Sequence, residues 1–367
     1  MFGGPEILGR AVQYPRQGGS AMSKWKRLMG AAAANALVAC LAFAPDLALG
    51  QGKFSGVMFG DYYGVTNHHD SAVDGLHGLW MRRVYLTYDH NLPEAFAVRV
   101  RLEAANAGDF STKSKMTPFI KDAYIKYGGS EFSVCVGLSP TPTWGNIEKF
   151  LGYRPVEKTP LDVFKMGSSR DTGVSINGKF GKGSKTGYRY MVGNDSGTSS
   201  EIDAGKAYYL SLDHQITPEL YIEGYGDYHD KPGPDDWTTL QGFLGYKNGD
   251  VTSGILYAHQ RREISGGSDI ELTLISFYIG VRTSENTMPF FRVDRVSDPV
   301  PGADGISYFK MATTAAPTLY IAGVDFKLSE NVHLVPNVEL VTYRDPVVGP
   351  TPSNDVFIRL TFFAFWK

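Results

Sequence analysis

Residues 80–105 read WMRRVYLTYDHNLPEAFAVRVRLEAA, and their alternation decides the fold class. From Phe96 every second residue is apolar (Phe96, Val98, Val100, Leu102, Ala104), with Arg99, Arg101 and Glu103 among those between. A strand sends successive side chains to opposite faces, so one face of this run is apolar and the other charged. Val84, Leu86 and Tyr88 alternate in the same way with Arg83, Tyr85, Thr87 and Asp89. Asp89-His90-Asn91-Leu92-Pro93-Glu94 is the polar turn between the two runs. The stretch predicts a hairpin of roughly ten-residue strands, the length that crosses a bilayer when tilted.

The rest of the chain repeats this design. Runs of period two, bounded by turn residues, recur about sixteen times, from 53–65 to 354–366, with about 14 or about 18 as the alternative counts. The connections between them alternate in length. One set is short, as at His90–Glu94, Gly128–Ser130 and Leu328–Asn331; the other is mostly longer, as at 66–78, 106–117, 140–171 and 298–317. Short turns on one side of a membrane and longer loops on the other are what a transmembrane antiparallel β-barrel requires. The expected class is therefore all-β, a closed barrel.

Composition agrees. Hydrophobic residues make up 43%, yet no long apolar run follows residue 50, which argues against membrane helices. A formal charge of −2 gives no general argument for nucleic acid as a partner. Residues 1–50 read as an extension plus signal peptide. Lys24-Trp25-Lys26-Arg27 is a basic start, Leu28 to Ala44 an apolar core, and Ala48-Leu49-Gly50 a small-residue site with cleavage after Gly50. Met22 is the expected start of translation. A retained anchor, or lipidation at Leu37-Val38-Ala39-Cys40, is the alternative. Residues 51–367 are then the barrel domain, with 31 basic and 36 acidic residues for a net −5. Only Cys135 remains in it, so no disulfide staples the fold.

Four charges fall in the outward register: Arg82, Lys121, Glu271 and Arg295. A charge at the bilayer midplane costs about 2–4 kcal/mol for Lys or Arg and about 0–1 kcal/mol near the interface. All four are expected at the long-loop ends of their strands, among lipid headgroups.

The last strand, ending Phe363-Ala364-Phe365-Trp366-Lys367, resembles the C-terminal signal of outer-membrane proteins, which the barrel-assembly machinery reads. Several segments together resemble the phosphate-selective porin (O/P-type) family of Gram-negative bacteria. They are Met81–Leu86, Ile120–Ile125, Gly152–Pro160, Gly167–Val174 and Phe291-Arg292-Val293-Asp294. The resemblance implies a sixteen-stranded porin in contact with outer-membrane lipid and lipopolysaccharide. It also implies a homotrimer through which small hydrophilic solutes and ions diffuse.

In general porins the third outer loop narrows the channel, so the resemblance implies the same for 140–171, with its Glu148, Lys149, Tyr153 and Arg154. The alternative is a loop packed outside as a trimer latch or over the mouth. On the wall, register points ten basic residues inward, among them Arg83, Arg99, Arg101, Lys126, Arg189, Arg292 and Arg359. Nine acidic ones face them, among them Glu103, Asp122 and Asp294. A phosphate channel wants a one-signed ladder, and this wall is nearly balanced, so the expectation is weak charge selectivity. These charges could equally pair across strands and hold the wall.

No cofactor is called for. The chain contains neither a Gly-x-Ser-x-Gly elbow nor a His-Glu-x-x-His motif, so an enzyme is not expected. His68-His69-Asp70 with His77 could hold a metal, but solvated loop histidines are commoner and the spacing matches no standard site. A barrel hydrolase, or an adhesive barrel with a plugged lumen, remains the competing class.

Overall fold

The quoted stretch folds as the two strands its alternation predicts, β2 (His77–Asn91) and β3 (Phe96–Ala105), joined at Leu92–Ala95. The computed structural model describes residues 52–105, 110, 113, 115–151, 153–233 and 235–367. The leader, its cleavage site, Met22 and Gly152 of the porin-like motif lie outside the described residues.

Fourteen further strands complete the wall. They are β1 (Gly52–Asn67), β4 (Pro118–Gly128), β5 (Phe132–Pro140), β6 (Arg170–Lys179), β7 (Thr186–Gly193), β8 (Lys206–Gln215) and β9 (Leu220–Asp230). Then follow β10 (Trp237–Lys247), β11 (Val251–Arg262), β12 (Ile270–Val281), β13 (Thr287–Val296), β14 (Ala316–Ser329), β15 (Val332–Arg344) and β16 (Asp355–Trp366). Each pairs antiparallel with its neighbours in sequence, and β1 pairs β16, so the sheet is a closed sixteen-stranded barrel. Closure leaves no strand edge unpaired. Boundaries move from the sequence reading by a residue or two: β14, expected at 318–327, runs Ala316–Ser329. At the seam the Trp366 ring lies over Gly56, where any Cβ would collide with the indole.

The barrel is apolar on the outside. Leu86, Val100, Ile125, Val136, Leu212, Ile222, Leu240, Ile255, Ile275, Val338 and Ile358 from successive strands are all exposed. Soluble monomers rarely show an apolar patch above about 300–600 Å², and each Å² left in water costs about 25 cal/mol. An apolar face running round the whole circumference fits hydrocarbon and not water. The interior is polar: Asp61, Asp122, Asp171, Thr239, Gln260, Asp294, Glu339 and Thr361 are all fully buried.

Two of the four outward charges are corrected by the pairing register. Phe59 pairs Arg83 and Gly60 pairs Met81, so Arg82 is an extra residue in β2. Arg101 pairs Asp122 and Leu102 pairs Ile120, so Lys121 is extra in β4. A bulge of one residue breaks strict alternation and re-aims the side chains beside it. Arg82 therefore joins Arg83 on the inside, bound to Asp61, and Lys121 joins Asp122, with its Nζ 3.0 Å from Glu103. Glu271 and Arg295 are exposed at the long-loop ends of β12 and β13, as expected.

Candidate constriction site

The third outer loop, 141–169, runs across the inside of the barrel. It carries two helical pieces, α1 (Trp144–Leu151) and α2 (Pro160–Val163). Its partners are inward side chains of strands far apart on the wall. Asn146 Nδ2 donates to Glu223 of β9 at 2.5 Å, and Gln241 of β10 donates to Thr143 Oγ1 at 2.8 Å. Gln260 of β11 donates to the Met166 carbonyl at 2.8 Å, and Arg292 of β13 to the Lys158 carbonyl at 2.6 Å. Phe150 stacks on Tyr221 of β9 and Tyr153 on Phe290 of β13, with ring centroids 5.1 and 4.1 Å apart. Thr143 and Lys165, near the two ends, have φ of 71° and 55°, a left-handed region unfavourable for a β-branched residue such as Thr143. Both are held: Thr143 by Gln241, and Lys165 through its carbonyl by Arg262 at 2.7 Å.

The seventh outer loop, 297–315, also turns inward, which the sequence reading did not foresee. Val300, Ile306, Tyr308, Phe309, Met311 and Ala312 are buried. Tyr308 donates to Glu157 of the third loop at 2.9 Å. The Tyr308 ring lies under two guanidinium groups, with Arg82 at 4.9 Å and Arg359 at 5.7 Å from its centre. Those two arginines are the centre of a buried ionic network. Arg82 Nε is 2.5 Å from Asp61; Arg359 reaches Asp61 at 3.2 Å and Glu339 at 3.1 Å. Arg82 also donates to the carbonyls of Pro155 and Val156, and Arg359 to that of Tyr308. Strands β1, β2, β15 and β16 and both loops are thereby tied at one place.

This arrangement sorts the residues expected to line the pore. Arg292, Asp294 and Arg359 face the interior, as register requires, but they lie beneath the loops. Arg292 forms a bidentate pair with Asp294 at 2.6–3.0 Å and is 4% exposed, and Arg359 is 2% exposed. They hold loops in place and have no open lumen to line. Tyr153 is likewise buried, against Phe290 and Tyr278. Glu103 and Asp122 are buried under the cations that pair with them: Arg83 and Lys121 on Glu103, Arg101 and Arg170 on Asp122. Arg99 forms a bidentate pair with Asp89 at 2.6 and 2.9 Å, and both remain partly exposed.

The remaining expected residues border two adjoining cavities. The first, about 610 Å³, is lined by Tyr85, Arg101, Lys121, Glu148, Arg154 and Arg170. The second, about 370 Å³, is lined by Lys126, Cys135, Lys149, Ser175, Asn177 and Arg189. Pro140 and Gly145 border both. Burial, and then Arg189, lower the pKa of Lys149. Across the two cavities the Arg and Lys side chains greatly outnumber the one acid, Glu148. The balance counted from the sequence is a balance of residues. The charge that borders these two cavities is basic.

An apolar-out, polar-in barrel with alternating short and long connections and an inward third loop has the architecture of outer-membrane porins. No protein-family model matches the chain, and no curated protein sequence matches it. Solved structures do. OmpT of Vibrio cholerae has a TM-score of 0.60 at 12% identity, covering 86% of this chain and 97% of that one. An anion-selective porin from Comamonas acidovorans has 0.60 at 12%, covering 86% and 99%. The outer membrane channel DcaP of Acinetobacter baumannii has 0.60 at 11%, covering 86% and 97%. At these identities the likeness is one of fold. The narrower resemblance to phosphate-selective porins rests on sequence motifs alone.

Proposed function

We propose that the chain forms a water-filled channel through a Gram-negative outer membrane, for passive diffusion of small hydrophilic solutes with a modest preference for anions. The observation that carries this is the contrast in exposure. Glu103 and Asp122 are buried under the cations that pair with them, while Arg101, Lys121, Lys126, Lys149, Arg154, Arg170 and Arg189 border the two cavities. Cations facing a narrow, low-dielectric passage raise the local concentration of anions. Phosphate is a narrower form of the same reading. Chloride and phosphate would meet the same side chains, with Ser175 and Asn177 as further hydrogen-bond donors.

The apolar belt supports residence in a bilayer, and contact with lipopolysaccharide is part of the proposal through the resemblance to outer-membrane porins. A homotrimer and delivery by the barrel-assembly machinery complete the proposal, on the porin-like fold and the aromatic C-terminal strand respectively. The test is purified protein in planar bilayers. Uniform conductance steps and an anion-signed reversal potential in a KCl gradient are expected, followed by a comparison of phosphate with chloride. A protein that is electrically silent and cleaves ester or peptide substrates would instead be a barrel hydrolase.

A further inference from the structure

Two histidines that conduction leaves unused meet a buried carboxylate at the outer mouth. His68 and His69 begin the first outer loop, 68–76, and Asp355 is the first residue of β16. We propose that His68, His69 and Asp355 form a binding site for a divalent transition-metal ion of the zinc class, tying the first outer loop to the last strand. The sequence reading, which expected no metal, offered Asp70 and His77 as the only companions, and the fold brings Asp355 in their place. The Asp70 carboxylate accepts the Ala72 amide in its own turn, and His77 meets the Tyr62 hydroxyl.

One ligand atom from each of His68, His69 and Asp355 lies within 4.8 Å of the others. His69 Nδ1 is 2.8 Å and His68 Nε2 3.9 Å from Asp355 Oδ1. Zinc bonds of about 2.0–2.2 Å set neighbouring ligands roughly 3–3.5 Å apart, so the His69–Asp355 pair is close to that spacing and the His68 ring must move inward to complete the set. The ion takes the place of the proton in the His69–Asp355 contact. The Lys310 carbonyl of the seventh loop, 3.3 Å from His68 Nε2, supplies an oxygen as fourth neighbour.

The surroundings are those of a metal site. Asp355 is fully buried and is held by the Tyr343 hydroxyl and, at 2.7 Å, the His69 amide. His68 Nδ1 lies between the amide of Asp70 at 2.9 Å and its carbonyl at 3.3 Å. It accepts from the first when the ion is absent; when Nε2 binds the ion the proton moves to Nδ1, and the ring must turn away from the amide to donate to the carbonyl, the usual outer partner of a ligating imidazole. The two imidazole rings stack with their centroids 4.4 Å apart. Two imidazoles with one carboxylate suit zinc, nickel or copper over magnesium or calcium.

The test uses the full mature chain in detergent, stripped with EDTA and titrated with zinc chloride, with magnesium chloride as the control. Saturable binding of roughly one zinc per chain is expected, together with a rise in melting temperature on adding zinc. His69→Ala and His68→Ala should each weaken binding at least about tenfold and remove the thermal shift, while His77→Ala and His333→Ala leave both unchanged. His69→Gln, on a ring that is partly exposed, guards against a folding defect: it should keep the uniform conductance steps and lose zinc. Absence of saturable binding, or binding unchanged in the His68→Ala/His69→Ala double variant, overturns the proposal. Neither result bears on conduction, which is measured separately.

Discussion

Two arcs of one barrel wall carry charge of both signs and use it in opposite ways. On β13, β15, β16 and β1 a set of inward charges is sealed: Asp61, Arg359, Glu339, Arg292 and Asp294 are almost without solvent contact, and the third and seventh loops are laid against them. Along β3–β7 the acids are sunk into the wall and the bases above them border open volume. One arc is structural and the other faces the solute. The difference teaches that a count of lumenal charges predicts neither stability nor selectivity until burial is known. The loops decide burial.

The largest expected effect is on the sealed arc. Arg359→Ala leaves Asp61 and Glu339 buried with reduced compensation, a loss of about 3–5 kcal/mol. Urea unfolding should read it, and released loops should make the conductance steps noisy. The matched change on the open arc, Arg99→Ala, removes a partly exposed pair worth about 0–1 kcal/mol. Equal losses would break the comparison.

Next in size is selectivity. Lys126→Glu with Lys149→Glu should move the reversal potential in a KCl gradient toward cations, with unfolding nearly unchanged. Arg292→Gln should do the reverse, lowering stability while the potential stays where it was. A smaller effect comes from Cys135, which borders the second cavity with Lys126 and Arg189. A sulfonate-bearing thiol reagent should lower conductance and react faster than a cationic one, and Cys135→Ser should abolish the response. The smallest is the pH dependence. Because the pKa of Lys149 is lowered, it loses its charge at a lower pH than an ordinary lysine. Anion preference should therefore weaken as pH rises toward 10, and less so in Lys149→Arg.

How much of this was legible follows from which interactions are local. Period-two alternation depends on each strand alone, so strand positions and the barrel could be read from Phe96–Ala104 and its repeats. A bulge depends on the partner strand, so Arg82 and Lys121 read as lipid-facing when both turn inward. Arg292 is covered by the third loop, whose inward course the resemblance implied, but Arg359 is covered by the seventh, whose inward fold was not inferred. Its signal was present: Val300, Ile306, Tyr308, Phe309 and Met311 are unusually apolar for an exposed connection. The meeting of His69 with Asp355 spans 286 positions and has no local signature.

The seam between β1 and β16 has a consequence for assembly. Asp61 and Arg359 are 298 positions apart and meet only when the ring has closed. Until then each lies on a strand with one edge still open, where a hydrated charge discourages stacking against a stranger's edge. The groups that lock the finished ring are thus guards against aggregation during its insertion. Neutralising either one should show first as chains lost on the way to the membrane.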